Sequence, residues 1–151
     1  MTQNLNNFLQ NVMSKQNATE HGTVLHRLLQ NIVIDDMHGN HGDANILSIL
    51  EGKPELKSFF TKNAKTEVPV AGIINGCFIS RRIDRLVINP KDKTIMFMDY
   101  KTDLNRIVFY DKYKKQLSEY AELLHSAYQD YKITGFILWV HDWCLEKVVS
   151  V

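Results

Sequence analysis

The sequence predicts an α/β fold in which a mixed β-sheet is flanked by helices. Three observations predict it. Apolar runs of strand length recur at residues 83–88, 95–98 and 136–140, rich in the β-branched and aromatic residues that suit a pleated, buried surface. Residues 23–34 and 111–131 instead repeat their apolar positions at helical spacing. The order of elements, helices first, then a strand meander, a helix and returning strands, is that of a mixed sheet covered by helices.

Taken along the chain, the first amphipathic segment carries Leu5, Phe8, Leu9, Val12 and Met13 and is followed by a polar break at residues 16–20. A helix is predicted over 23–34, and a Gly- and His-rich turn over 35–43. Two short helices follow at 44–51 and 54–63, the second with Pro54 in its first turn, where a missing N–H costs nothing. Strands are predicted at 67–70, 73–80, 82–88 and 94–100, with Asn89-Pro90-Lys91-Asp92 as the turn between the last two. A helix over 111–131 and strands over 133–140 and 144–149 complete the series. There is no internal repeat and no low-complexity tract.

At 151 residues the chain is long enough to bury one core without disulfides or a structural metal. The apolar content of 44% with no long uncharged apolar run predicts a soluble protein. The Met1-Thr2-Gln3-Asn4-Leu5 start has neither the basic residues nor the apolar block of a signal peptide, so cytoplasmic residence is the expectation. Cys77 and Cys144 form no C-x-x-C pair, which argues against a disulfide framework or a zinc site. No G-x-x-x-x-G-K-[ST] loop occurs, so no ATPase or helicase site is expected.

The chemistry-bearing residues lie in the apolar runs. Asp84 sits in Arg82-Ile83-Asp84-Arg85-Leu86-Val87-Ile88, and Asp99 and Lys101 in Asp99-Tyr100-Lys101-Thr102. An acid in a buried strand must be paired or metal-bound. Two unit charges ~4 Å apart repel by roughly 4 kcal/mol at an effective dielectric of ~20, and a divalent cation reverses that sign. Oxygen ligands favour magnesium or manganese, which can polarise a phosphoryl oxygen and activate a water. Lys101, two residues beyond Asp99, projects from the same face of an extended strand, where an ammonium can stabilise charge on phosphorus. Taken alone, D-x-K is equally the signature of an ion pair on an edge strand.

The ordered set Gly22-Thr23-Val24-Leu25-His26, Glu67-Val68-Pro69-Val70, Arg82-Ile83-Asp84-Arg85, Asp99-Tyr100-Lys101-Thr102-Asp103 and Gln116-Leu117-Ser118-Glu119-Tyr120 resembles the RecB/AddA-type nuclease domain of the PD-(D/E)XK superfamily, over residues 20–149. The closing Phe136-Ile137-Leu138-Trp139-Val140 run is similar to that family's last core strand. The resemblance implies a restriction-endonuclease-like core in a single domain, with residues 1–20 as an N-terminal helical extension and 21–150 as the nuclease core. It implies metal ligation by His26, Asp84, Asp99 and the backbone carbonyl of Tyr100, with Mg2+ or Mn2+ as cofactor. Lys101 would be the catalytic lysine, Gln116 and Tyr120 would position the lysine region and the DNA backbone, and Glu67 would support the site. Four cysteines hold an iron–sulfur cluster in some relatives, and two cannot. Arg81 stands where the family usually has glycine, so its bulk is expected to narrow the approach of the scissile strand.

Outside this resemblance, His26 also fits a partly buried helix histidine, Gln116 and Tyr120 ordinary helix positions, and Glu67 a solvated strand-entry charge. His38 and His41 beside Gly39 and Gly42 read as a polar turn. The net charge of +1 is unevenly spread: residues 81–115 hold ten Lys/Arg against five Asp, and the remainder eight against twelve. That excess is the footprint expected for phosphate contact. The resemblance implies metal-dependent hydrolysis of DNA, single strands or duplex ends, in double-strand-break repair, with a helicase subunit as a possible partner. A catalytically silent DNA- or protein-binding module with the same fold is the alternative, and action on RNA a third reading.

Overall fold

A computed structural model of the protein describes residues 18–151. The amphipathic segment at Leu5 to Met13 therefore lies outside the described residues, as does most of the expected extension. Helix α1 spans Ala18–Gln30, α2 Ala44–Glu51 and α3 Pro54–Lys57, the last running into a 3-10 turn at Ser58–Phe60. Strands β1 (Lys65–Ile74), β2 (Cys77–Asn89) and β3 (Thr94–Lys101) precede the long helix α4 (Arg106–Ala127), and β4 (Lys132–Trp139) and β5 (Cys144–Ser150) end the chain. The five strands form one sheet in sequence order. Every neighbouring pair is antiparallel except β3 and β4, which run parallel and are joined through α4. The architecture is thus α/β, a five-stranded mixed sheet flanked by helices. No helix among the described residues is long and apolar enough to cross a membrane.

The central strand explains the layers. In β3, Ile95 and Phe97 face α4, where they meet Leu117, Tyr120, Ala121 and Leu124. Met98 and Tyr100 face the opposite way, into a cluster with Leu25 and Leu29 of α1, Ile46 and Leu50 of α2, and Phe59 and Phe60. A strand covered on both faces needs apolar residues at almost every position, which is why residues 95–98 read as a continuous run. Gly135 in β4 permits this packing, because a Cβ there would lie 2.3 Å from a Phe97 ring carbon and 2.6 Å from a Val149 methyl.

Several sequence expectations are corrected. The predicted strand over 73–80 is instead interrupted by a tight turn: Asn75 (φ 51°) and Gly76 (φ 78°) both have positive φ and join Ile74 to Cys77. Asn-Gly is the pair that such two-residue hairpins prefer, so β1 and β2 are each longer than predicted and the expected break near Arg81 is absent. Helix α1 starts at Ala18, inside the predicted polar break, and stops at Gln30. Val33 and Ile34, expected to be helical, make isolated bridges to His41 and Thr61. Residues 54–63 give only one α-helical turn and the 3-10 turn. Helix α4 begins at Arg106, before the predicted start at 111, with the Asn105 side chain accepting from the Val108 N–H. Ile107 and Val108 in its first turn are exposed, and this disturbs the amphipathic pattern that sequence reading relies on. The 35–43 segment is a polar turn, in which the Asp35 carboxylate accepts from the Met37 and His38 N–H groups and pairs with His38 Nδ1 at 3.0 Å.

Candidate active site

The candidate site forms where the sheet opens. The β2–β3 ladder ends at Arg85↔Met98, and one further step in register brings Asp84 opposite Asp99. Across β1–β2 the ladder is interrupted between Thr66↔Arg85 and Val68↔Ile83, which places Glu67 beside Asp84 on its other side. Glu67 has a φ of 52°, a left-handed conformation that a non-glycine residue adopts only under constraint. Three acids on three adjacent strands therefore share one row. Asp84 Oδ2 accepts the Tyr100 N–H at 2.8 Å, satisfying a donor at the point where the strands part.

Burial and electrostatics follow from that placement. Asp84 and Asp99 are 7% and 4% exposed. Burial, then repulsion from Asp99, with a smaller part from Glu67, pushes the Asp84 carboxyl up to about 7, against the opposing effects of the Tyr100 N–H and Lys101. Asp84 is thus poised to exchange a proton near neutral pH. His26, projecting from α1, brings Nε2 within 3.9 Å of Asp84 Oδ2 and meets the Tyr100 ring edge-on at 5.3 Å between centroids.

On the α4 side, Lys101 Nζ forms an ion pair with Asp99 Oδ2. The same ammonium donates to Gln116 Oε1 at 3.0 Å and lies 4.2 Å from the centroid of the Tyr113 ring. Gln116 Nε2 donates to the Tyr120 hydroxyl at 2.7 Å, and that hydroxyl donates to the Arg82 carbonyl at 3.2 Å. Burial pushes the Tyr120 phenol upward, so it stays a neutral donor. This chain of bonds fixes the orientation of the Gln116 amide, with its oxygen toward Lys101. Residues 116 and 120, one helical turn apart, share a face as their spacing requires.

The structure thus brings Asp84, Asp99, Lys101, Gln116 and Tyr120 into one connected set, with His26 at its edge. Glu67 reaches the set electrostatically while its side chain pairs with Arg82 at 2.6 Å. Tyr100 contributes through its backbone; its hydroxyl accepts from Arg85 Nε at 2.8 Å on the opposite face of the sheet. Beside the site, Gly22, Thr23, His26, Arg27, Gln30, Glu67 and Arg82 line an open cleft of about 510 Å³. Tyr113 is a residue at the site that the sequence did not single out. It lies three positions before Gln116, and that spacing was the signal that could have found it.

The donors themselves bear on whether a metal fits. Among the described residues, no group of three or more His, Cys, Asp or Glu side chains is gathered closely enough to hold an ion. Asp99 Oδ2 is nevertheless buried without a hydrogen bond, its contact being the Lys101 ion pair. Two mutually repelling carboxylates beside an imidazole have the donor chemistry of a hard divalent cation.

Half of the expected basic footprint is neutralised by ion pairs. Of the ten cations in residues 81–115, Arg81 pairs with Glu119, Arg82 with Glu67, Lys93 with Asp130, Lys101 with Asp99 and Arg106 with Asp142. Arg85 is buried. The Arg81 side chain lies against α4, donating to Glu119 Oε2 from Nε and Nη2 at 3.2 and 2.9 Å.

No protein-family model matches the chain, and no curated protein matches it. Among solved structures, it is similar to the crystal structure of SSO0001, with 16% identity, a TM-score of 0.40 and coverage of 84% of this chain. The chain spans 48% of that protein's length.

Proposed function

We propose that this chain is a metal-dependent nuclease domain of the PD-(D/E)XK type, similar to those of RecB and AddA, that hydrolyses phosphodiester bonds in DNA. The observation that supports this reading best is the opened sheet end, where Asp84 and Asp99 stand opposite each other and Lys101 occupies the face of Asp99. Asp84, Asp99 and His26 would hold Mg2+ or Mn2+, with the Tyr100 carbonyl as a further donor. Such an ion supplies Lewis acidity and a more acidic bound water. Asp84 gives up its proton near neutral pH, making both carboxylates available as ligands. Lys101 presents a fixed positive charge to a phosphoryl oxygen, and Gln116, held by Tyr120, keeps that ammonium from wandering. The arrangement is preorganised, because each group is oriented by a neighbour before substrate arrives.

The test is cleavage of end-labelled single- and double-stranded DNA in Mg2+, in Mn2+ and in chelator, with Lys101→Ala alongside. Metal-dependent cutting that falls by about 10²–10³ in Lys101→Ala, with the fold retained by circular dichroism, is the expected result. Cutting by Lys101→Ala at the wild-type rate would overturn the reading. Metal-independent DNA binding without turnover would favour a silent binding module. Matched RNA substrates separate the third possibility.

A further inference from the structure

We infer that Tyr113 is a positioning residue for Lys101, acting through the face of its ring; this rests on the reading of Lys101 as the cation that stabilises charge on phosphorus. A lysine side chain carries an ammonium on a flexible four-carbon stem, so an unsupported lysine spends much of its time in unproductive geometry. Here the ammonium has three supports. Asp99 and Gln116 supply oxygen acceptors, and the Tyr113 ring faces it at 4.2 Å from its centroid. A ring face attracts the charge without offering a lone pair that competes for the proton, and it covers the ammonium against water.

The ring is itself held firmly. Tyr113 is 8% exposed. Phe109 stacks on it, with centroids 6.0 Å apart and planes at 29°, and Trp139 lies against it at 6.1 Å. Its hydroxyl donates to the Asp103 carboxylate, two residues beyond Lys101. Tyr113 and Gln116 share a face of α4, so one helix supplies both the apolar and the polar support of the ammonium. When a substrate oxygen competes with Asp99 for Lys101, the ring and Gln116 keep the stem in place.

The ring and the hydroxyl are separable. Tyr113→Phe keeps the face and loses the bond to Asp103; Tyr113→Leu removes the face, and Tyr113→Met removes it while filling more of the volume, should the leucine variant fail to fold. Cleavage kinetics, melting temperature and the NMR shift of the Lys101 ε-methylene protons are measured on each. The expected result is kcat within about threefold of wild type for Tyr113→Phe. The ringless variants are expected to lose about 10- to 100-fold in kcat with KM within about twofold, as a misplaced catalytic group would. The upfield ring-current shift of the ε-methylene protons is expected in wild type and Tyr113→Phe and absent without the ring. A folded ringless variant with wild-type kcat would overturn the inference, as would Tyr113→Phe as impaired as Tyr113→Leu with its ring-current shift intact. If wild type does not cleave, or Lys101→Ala cleaves equally well, the nuclease reading fails. The NMR shift then still tests the geometry: an upfield shift that disappears with the ring shows that the ring covers the Lys101 stem, and a shift unchanged by its removal overturns the inference.

Discussion

Arg85 and Lys101 are both cations held inside the protein, one on each face of the sheet, and they are satisfied in opposite ways. Arg85, 1% exposed, donates to the Tyr100 hydroxyl and to the carbonyls of Leu29, Gln30 and Ile32, with Phe60 under its guanidinium at 4.5 Å. Its partners are neutral, and two of them are the last carbonyls of α1, which have no partner within the helix and lie at its negative end. Lys101 faces a buried carboxylate, with a second one kept near its titration point next door. Saturation by neutral acceptors makes a fixed joint between α1 and the sheet. Charge set against charge, with a neighbour ready to change protonation, makes a place where an incoming anion or cation can alter the balance.

The largest effect should come from breaking the saturated side. Arg85→Met takes a buried charged donor from the Ile32 carbonyl and the Tyr100 hydroxyl, leaves the Leu29 carbonyl only its bond from the Ile32 N–H, and is expected to lower the unfolding free energy by about 3–5 kcal/mol in urea titrations. A loss below about 1 kcal/mol would mean that the joint is not structural, and the contrast with Lys101 would dissolve.

The next prediction sharpens the reactive side. The Asp84 carboxyl is raised from 3.8 in the unfolded chain to about 7 in the fold. Between those values the folded protein keeps a proton that the unfolded chain has released, so stability falls as pH rises. Asp84's contribution is fully present below about pH 4, declines through the window and is gone above pH 7. In chelator, the stability of wild type relative to Asp84→Asn should therefore drop by about 3–4 kcal/mol between pH 4 and 8, since each pH unit separating the two titration points carries ~1.4 kcal/mol. A flat difference would show that neither burial nor the neighbouring acids raise the Asp84 carboxyl in the fold.

The smallest effect concerns Arg81. Its side chain is partly exposed and tied to Glu119, and such pairs contribute less than about 1 kcal/mol. Arg81→Ala should change melting and cleavage only slightly. A rise in cleavage of about tenfold or more would instead mean that this arginine obstructs the strand's approach, the effect expected of its bulk from the sequence.

The sequence made some of this legible and hid the rest for physical reasons. Residues 95–98 announced a strand buried on both faces, and Asp99-Tyr100-Lys101 announced a charged end to it. Gln116 and Tyr120 were findable because one helical turn separates them. The hairpin at Asn75-Gly76 was present in the sequence but was outweighed by the apolar run on either side. The early start of α4 was hidden because Leu104, Ile107 and Val108 are exposed apolar residues that follow no amphipathic pattern. Arg85 could not be distinguished from its neighbours Arg81 and Arg82 at all. Its partners are backbone carbonyls more than fifty residues earlier, and no local rule carries that information.

The left-handed turn of the backbone at Glu67 has a second consequence, for association between molecules. Strand β1 is at the margin of the sheet and β2 covers only one of its sides. An incoming strand needs a regular row of donors and acceptors to add itself there. It meets a residue at φ 52° and, two positions later, Pro69, which has no N–H to offer. The distortion that helps set three acids in a row thus also spoils the template on which copies of this chain would stack edge to edge.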